Sequence, residues 1–172
     1  ELNEHTRSDD LDRLLAPLRD GHDLGLLSEA GCPAVADPGA DLVALAQRAG
    51  FRVVPLTGPS SLLLALMGSG LNGQCFAFHG YLPAKEAERS RAIRELEGES
   101  RRRRQTQIFI ETPYRNGTLF SALLANCQPG TRIALATDLT QPGETVRTRT
   151  VAQWKKEAPP DFERRPTVFL LL

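Results

Sequence analysis

The sequence predicts an α/β protein of two lobes, the first built on a parallel sheet and the second on a mixed one. Three observations in the 172 residues carry that expectation. Short apolar runs alternate with helical periods from the start of the chain, the pattern of strands joined by crossover helices. A break of small and polar residues, Gly68-Ser69-Gly70-Leu71-Asn72-Gly73, then interrupts the alternation. Beyond it, residues 145–150 alternate Thr, Val and Arg, as a half-exposed antiparallel strand does. The expected lobes are therefore 1–73 and 74–172.

Taken in order, Ser8 followed by Asp9 and Asp10 predicts a helix N-cap with carboxylates on the positive end of the dipole. Leu11, Leu14, Leu15 and Leu18 give that helix an apolar stripe, and Gly21 ends it. Residues 23–28 read as a short buried strand, followed by a turn-rich loop over 29–39. Leu42, Leu45, Ala46 and Ala49 mark a second helix ending at Gly50, and 51–55 a second strand. The segment Thr57-Gly58-Pro59-Ser60-Ser61 opens a third helix, Leu62 to about Met67. In the second lobe, strands are expected at 74–81, 107–111, 133–137, 145–150 and 166–172. Helices are expected at 85–97, charged and mostly facing solvent, and at about 116–126.

Hydrophobic residues make up 41% of the chain and charged ones 24%, which excludes a disordered polymer. No apolar run approaches the ~20 residues that span a bilayer, so a soluble protein is expected. Cys32, Cys75 and Cys127 are few, odd in number and far apart, as reduced thiols in a cytosol are. His5, His22 and His79 are scattered and no CxxC occurs, which argues against a metal site. Walker A and GxSxG motifs are absent from the sequence. The formal net charge is zero, yet residues 1–86 carry 6 basic and 11 acidic side chains and residues 87–172 carry 15 and 10.

Four stretches concentrate polar chemistry at expected strand ends. The loop 28–39 carries glycines that let a backbone approach a ligand closely. The 57–61 turn reads either as a site for polar groups at a helix start or as a simple N-cap at Ser60. Glu111-Thr112-Pro113-Tyr114-Arg115 sets a carboxylate, a hydroxyl, a phenol and a guanidinium after an apolar strand. Asp138-Leu139-Thr140 and Gly143-Glu144-Thr145 flank a later turn more weakly. A run of four arginines, 101–104, reads as a phosphate-docking patch or as a solvated face balanced by Glu95, Glu97 and Glu99.

Several of these stretches together resemble a known series. They are Leu27-Ser28-Glu29-Ala30-Gly31-Cys32-Pro33, Ala36-Asp37-Pro38-Gly39, Val53-Val54-Pro55-Leu56-Thr57-Gly58-Pro59-Ser60-Ser61, Gly80-Tyr81-Leu82-Pro83 and Ile110-Glu111-Thr112-Pro113-Tyr114-Arg115, then Asp138-Leu139-Thr140 with Glu144. In this order they resemble the class III S-adenosylmethionine-dependent methyltransferases, the tetrapyrrole-methylase superfamily. The similarity is greatest to the branch that methylates a cytidine ribose 2′-hydroxyl in bacterial small-subunit ribosomal RNA.

The resemblance implies a two-lobed tetrapyrrole-methylase-like fold with the methyl donor in the cleft between lobes. It implies that Gly31, Cys32, Pro33, Val35, Ser60 and Ser61 hold S-adenosylmethionine from the first lobe, and Thr112, Leu139 and Thr167 from the second. Glu111 and Arg115 would face the acceptor, Glu111 as a base for a weakly nucleophilic hydroxyl and Arg115 on substrate phosphate. It further implies a cytoplasmic homodimer acting on ribosomal RNA or the small subunit. Methylation of a tetrapyrrole or another small molecule is the alternative activity, and a non-catalytic S-adenosylmethionine-binding module the alternative without one. The family also opens with a strand and a proline/glycine turn that nothing before Glu1 supplies, so the first strand is expected to be missing. Many ribosomal-RNA members extend beyond the position of Leu172.

Overall fold

The computed structural model describes residues 2–3, 6–28 and 31–172, and of Ser8 and Asp9 the backbone alone. The expected cap by Ser8, the dipole contact of Asp9, and His5, Glu29 and Ala30 thus lie outside the described groups. The chain forms two compact units, Glu1–Ser60 and Ser61–Leu172.

In the first unit, α1 (Ser8–Leu14) and α2 (Ala16–Arg19) replace the single helix expected there. The backbone places Ser8 inside α1, with Arg7 at the N-cap. The break has a local cause: Pro17 has no N–H to give the carbonyl four residues back. Leu15, at the break, is fully buried and packs with Leu11 against Leu42 and Ala46 of α3 (Ala40–Arg48). Gly50 ends α3 as expected, with φ 82°; its N–H bonds Gln47 O and that of Phe51 bonds Ala46 O, both at 3.0 Å.

Residues 23–28 and 51–55 lie outside any strand, which corrects the parallel ladder expected in this lobe. A parallel strand exists only through its neighbours' hydrogen bonds, and these segments have no such partner among the described residues. Leu24, Leu27, Val53 and Val54 are accordingly exposed rather than buried.

The second unit follows the sequence closely. Its elements are α4 (Ser61–Ser69), β1 (Phe76–Tyr81), α5 (Glu86–Arg103), β2 (Thr106–Ile110), α6 (Asn116–Asn126), β3 (Arg132–Thr137), β4 (Thr145–Thr150), α7 (Val151–Trp154) and β5 (Thr167–Leu171). The five strands form one sheet in the order β1-β2-β5-β3-β4. Only β1 and β2 run parallel; β5 lies antiparallel to β2 and β3, and β4 antiparallel to β3. The mixed sheet is as expected.

Side chains alternate between the two faces of the sheet. Phe109, Ile133, Leu135, Phe169 and Leu171 point into a core closed by α5, α6 and α7. There the Trp154 indole donates to Ile133 O at 2.9 Å, and Phe120 meets its ring edge-on at 5.4 Å. Ile108, Ala134, Ala136, Val168 and Leu170 point to the other face, where α4 supplies Ala65 and Leu66. The alanines let α4 come close, and a Cβ on Gly68 would stand 3.2 Å from both methyls of Val146. This packing ties α4 to the second unit, so the division falls at Ser60/Ser61, ahead of the Gly73 expected from composition.

Helix α5 runs through Gly98 to Arg103, past the expected end at Glu97, and ends where Arg104 turns left-handed at φ 51°. Nor is it only a solvent face: Arg89, Ile93, Glu97 and Ser100 form a buried stripe at helical spacing. Glu97 accepts from Gln128 N at 2.7 Å and from the Thr131 hydroxyl.

Gly39→Ala is expected to destabilise the first unit by about 1–3 kcal/mol, because φ is +136° and a Cβ would meet Leu26 Cδ2 at 2.8 Å. A urea midpoint near that of wild type would remove the argument. The Cys127 thiol is pushed up from 9.0 to about 12, first by burial and then by the charge of Glu97. The folded state therefore keeps a proton that the unfolded chain releases above pH ~9, so stability from this group is lost as pH rises towards 12. The stability gap between wild type and Cys127→Ala should narrow over that range in urea titrations.

Candidate functional site

The register of β5 gathers the polar ends of three strands. Ile110 pairs with Val168 and Thr137 with Thr167, so the carboxyl ends of β2 and β3 meet the amino end of β5 at one edge of the sheet. Glu111, Thr112, Asp138, Leu139, Arg165 and Thr167 follow or precede those pairs directly. Five expected site residues of this unit, Glu111, Thr112, Arg115, Leu139 and Thr167, thus share one end.

Glu111 sits at the centre of this end with its side chain 2% exposed. Its Oε2 lies 2.8 Å from Arg115 Nη2, across one turn that Pro113–Arg115 winds as a 3-10 helix. Its Oε1 accepts from Thr112 N at 2.8 Å and from the Thr112 hydroxyl at 3.2 Å. Both carboxylate oxygens are therefore engaged, and what the geometry provides is a carboxylate that fixes a guanidinium and a turn. Arg115 keeps 29% of its side chain exposed, enough to present cationic N–H groups outward while held from behind. Tyr114, between them, is 81% exposed.

A second ion pair completes the edge. Arg165 Nε donates to Asp138 Oδ2 at 2.6 Å and Nη2 to Gly143 O at 2.7 Å. Asp138 and Thr140 adopt φ of 51° and 68°, and Glu144 Oε2 accepts from Thr140 N at 2.7 Å. Thr137 and Thr167 share a buried hydroxyl pair at 3.1 Å. Asn116, fully buried, donates through Nδ2 to Arg165 O at 2.9 Å. Sequence reasoning missed Asn116 and Arg165: each partner lies far along the chain, and neither belongs to a polar cluster of its own.

In the first unit, the Cys32 thiol donates to Pro59 O at 3.4 Å. That contact joins the loop of Gly31, Cys32, Pro33 and Val35 to the turn that ends in Ser60. The loop is strained, with Ala34 and Ala36 at φ of 64° and 57° as well as Gly31 at 76°. The amide N–H groups of Gly31, Cys32, Ala34 and Ala36 donate to no protein oxygen among the described residues. Val35 is 46% exposed beside them. Unpaired amides next to an apolar side chain suit a ligand that carries both polar and apolar parts. Ser61, the remaining residue expected on the donor, is the first residue of α4 in the second unit.

A mixed sheet covered by helices on both faces, with charged and hydroxyl groups gathered at one strand end, defines an α/β protein with a polar site at one edge of its sheet. The model of the Tetrapyrrole (Corrin/Porphyrin) Methylases matches residues 1–154, and the chain belongs to that family. The Ribosomal RNA small subunit methyltransferase I of Escherichia coli O157:H7 is 35% identical over 99% of this chain and 58% of its own length. That of Xylella fastidiosa is 37% identical over 99% of this chain and 61% of its length. The chain thus spans about three fifths of these relatives. Among solved structures, the methyltransferase CobJ overlays with a TM-score of 0.62 at 20% identity, covering 95% of this chain and 70% of that one. The cobalt precorrin-4 methyltransferase CbiF gives 0.57 at 16% identity, covering 98% and 72%. At these identities the likeness to the solved structures bears on the fold.

Removing one member of the Glu111–Arg115 pair should act asymmetrically. Arg115→Ala leaves a buried carboxylate without its cation and is expected to cost about 3–5 kcal/mol. Glu111→Ala leaves a cation that can reach water and should cost about 1–3 kcal/mol. Urea unfolding of both single variants and the double checks this; equal single costs would remove the asymmetry, and a double equal to the sum of the singles would show that the pair is not coupled.

Proposed function

We propose that the protein transfers a methyl group from S-adenosylmethionine to small-subunit ribosomal RNA, at the 2′-hydroxyl of a cytidine ribose. The observation that carries this reading is 35–37% identity, over 99% of the chain, to relatives that bear the name of a ribosomal RNA small subunit methyltransferase. A cytoplasmic location and a homodimer go with it, on the resemblance alone. Among the described residues, no helix is long and apolar enough to cross a membrane.

The residues present fit the donor. Unpaired amides at Gly31, Cys32, Ala34 and Ala36 would take its polar groups, with Pro33, Val35 and Ser60 alongside. The resemblance also gives Ser61, Thr112, Leu139 and Thr167 as donor residues. When bound, S-adenosylmethionine supplies an electrophilic methyl on a sulfonium. The chain's own part is alignment, since displacement at that methyl is in-line and gains most from positioning.

Glu111 holds Arg115 through Oε2 and the Thr112 turn through Oε1, so it fixes the direction in which the guanidinium meets an anionic acceptor. To act as a base towards a ribose hydroxyl, it would have to release one of these bonds on substrate binding. Glu111→Gln is therefore expected to leave donor affinity near wild type by calorimetry while turnover falls about tenfold or more; unchanged turnover would end the assignment. The function itself is tested by methyl transfer from labelled donor into small ribosomal subunits from cells lacking the enzyme. Label in the ribosomal RNA is expected. Label only in an added tetrapyrrole would overturn the RNA reading.

A further inference from the structure

At the end of the sheet opposite Glu111, about 17 Å away along β3, a groove of about 560 Å³ opens between the last turn of α5, the turn over 128–131 and the start of β3. Its walls include Ser100, Arg101 and Arg104 from α5 and its cap, Arg132 at the start of β3, Glu97 and Leu172. Residues 97, 100, 101 and 104 fall on one helix face by their spacing. The four-arginine run is thereby divided. Arg102 and Arg103 both pair with Glu99, Arg103 Nε at 2.9 Å from Oε2. Arg101, Arg104 and Arg132 make no ion pair among the described residues.

One further feature points to a ligand here. Ser100 is 2% exposed, lines the groove, and its hydroxyl has no hydrogen-bond partner. A buried hydroxyl of this kind costs stability unless something satisfies it. The carboxylate on the same wall is already engaged, Glu97 by Gln128 N–H and the Thr131 hydroxyl. Leu172 pairs its main chain with Arg132, N–H to O at 3.0 Å and O to N–H at 2.9 Å, which leaves that guanidinium free. Asn72 Nδ2 donates to Arg104 O and so holds the left-handed cap from which the Arg104 side chain starts.

Basic residues often do no more than complement the negative end of a helix dipole. That accounts for arginines in the last turn of α5. It does not account for Arg132 on a different element, nor for the unpartnered Ser100 hydroxyl on the same groove. Three guanidiniums without ion pairs and an unpartnered hydroxyl on the walls of one groove match the oxygens of a phosphate, which accepts from planar N–H forks and an O–H at once.

We propose that this groove binds phosphate, and that its source is the phosphodiester backbone of RNA entering away from the Glu111 end. The phosphate site stands on the groove alone; its RNA source rests on the function proposed above. The test is binding of a labelled single-stranded RNA by fluorescence anisotropy across a salt series, with inorganic phosphate titrated separately by thermal shift. Arg101→Ala/Arg104→Ala should weaken RNA binding at least about tenfold and reduce the salt slope by about 1.4, the loss of two single-strand contacts. Arg102→Ala/Arg103→Ala removes the same charge outside the groove and should change affinity less than about threefold. Equal losses in the two doubles, or no loss in the first, would overturn the proposal. If wild type binds phosphate but not RNA, and the first double abolishes that binding, the groove stands and the RNA source falls. If neither ligand binds wild type, the groove is no phosphate site.

Discussion

The last strand is the piece on which the second unit depends. β5 lies between β2 and β3, antiparallel to both, and all five of its residues are buried. Phe169 and Leu171 enter one core while Val168 and Leu170 enter the other, so a single segment closes both faces of the sheet. Its partners were laid down much earlier in the chain. Closing such non-local pairs must offset loop entropy before any packing rewards it. The two strongly apolar faces supply that reward together, which fits a unit that completes its sheet in one cooperative step.

The same strand creates the polar edge. Val168 pairs with Ile110 and Thr167 with Thr137, the ladder closes with Asp138 N–H on Pro166 O at 3.0 Å, and the polar side chains at that end find partners of their own. Thr167 shares its hydroxyl with Thr137, Asp138 takes Arg165, and Asn116 reaches the carbonyl of Arg165. Glu111 turns instead to its own sequence neighbours, Thr112 and Arg115. The edge is thus held by short-range charge pairs on one side and by long-range ones on the other. A carboxylate so fully engaged favours a role in orienting Arg115 over that of a free base.

Period and composition foretold the second unit well because its strands are bounded by turns and its helices by Pro, Gly or a charge shift. Every strand expected from residue 74 onward exists, and the alternation over 145–150 is the antiparallel β4. The first unit was less accessible to that reasoning. An apolar run such as 51–55 announces a strand only if a neighbour is there to pair with it, and sequence alone cannot count neighbours. The break at Leu15 was readable from Pro17, but the leucine period masked it. The buried stripe of α5 was hidden because Glu97 and Ser100 owe their burial to Thr131 and Gln128, on a distant turn. Of the expected site, Glu111, Thr112, Arg115, Leu139 and Thr167 share one sheet end because strand ends attract unpaired polar groups.

Charge shows why counting residues is a weak guide to partners. The sums cancel over the whole chain, and even the basic second half is a mixture of paired and unpaired guanidiniums. Arg102, Arg103, Arg115, Arg147 and Arg165 each have a carboxylate, so their fields are largely local. What reaches a distant anion is the remainder, and its position follows from helical spacing. Glu99 can reach Arg102 and Arg103, at i+3 and i+4, but Arg101 and Arg104 lie on another face. A run of four identical residues is thereby sorted by one glutamate into a pair with a carboxylate and a pair without. The unsatisfied pair faces the same groove as Arg132 and the buried Ser100 hydroxyl. An electrostatic surface that looks neutral in total is therefore directional, and its direction is set by the α5 helix rather than by composition.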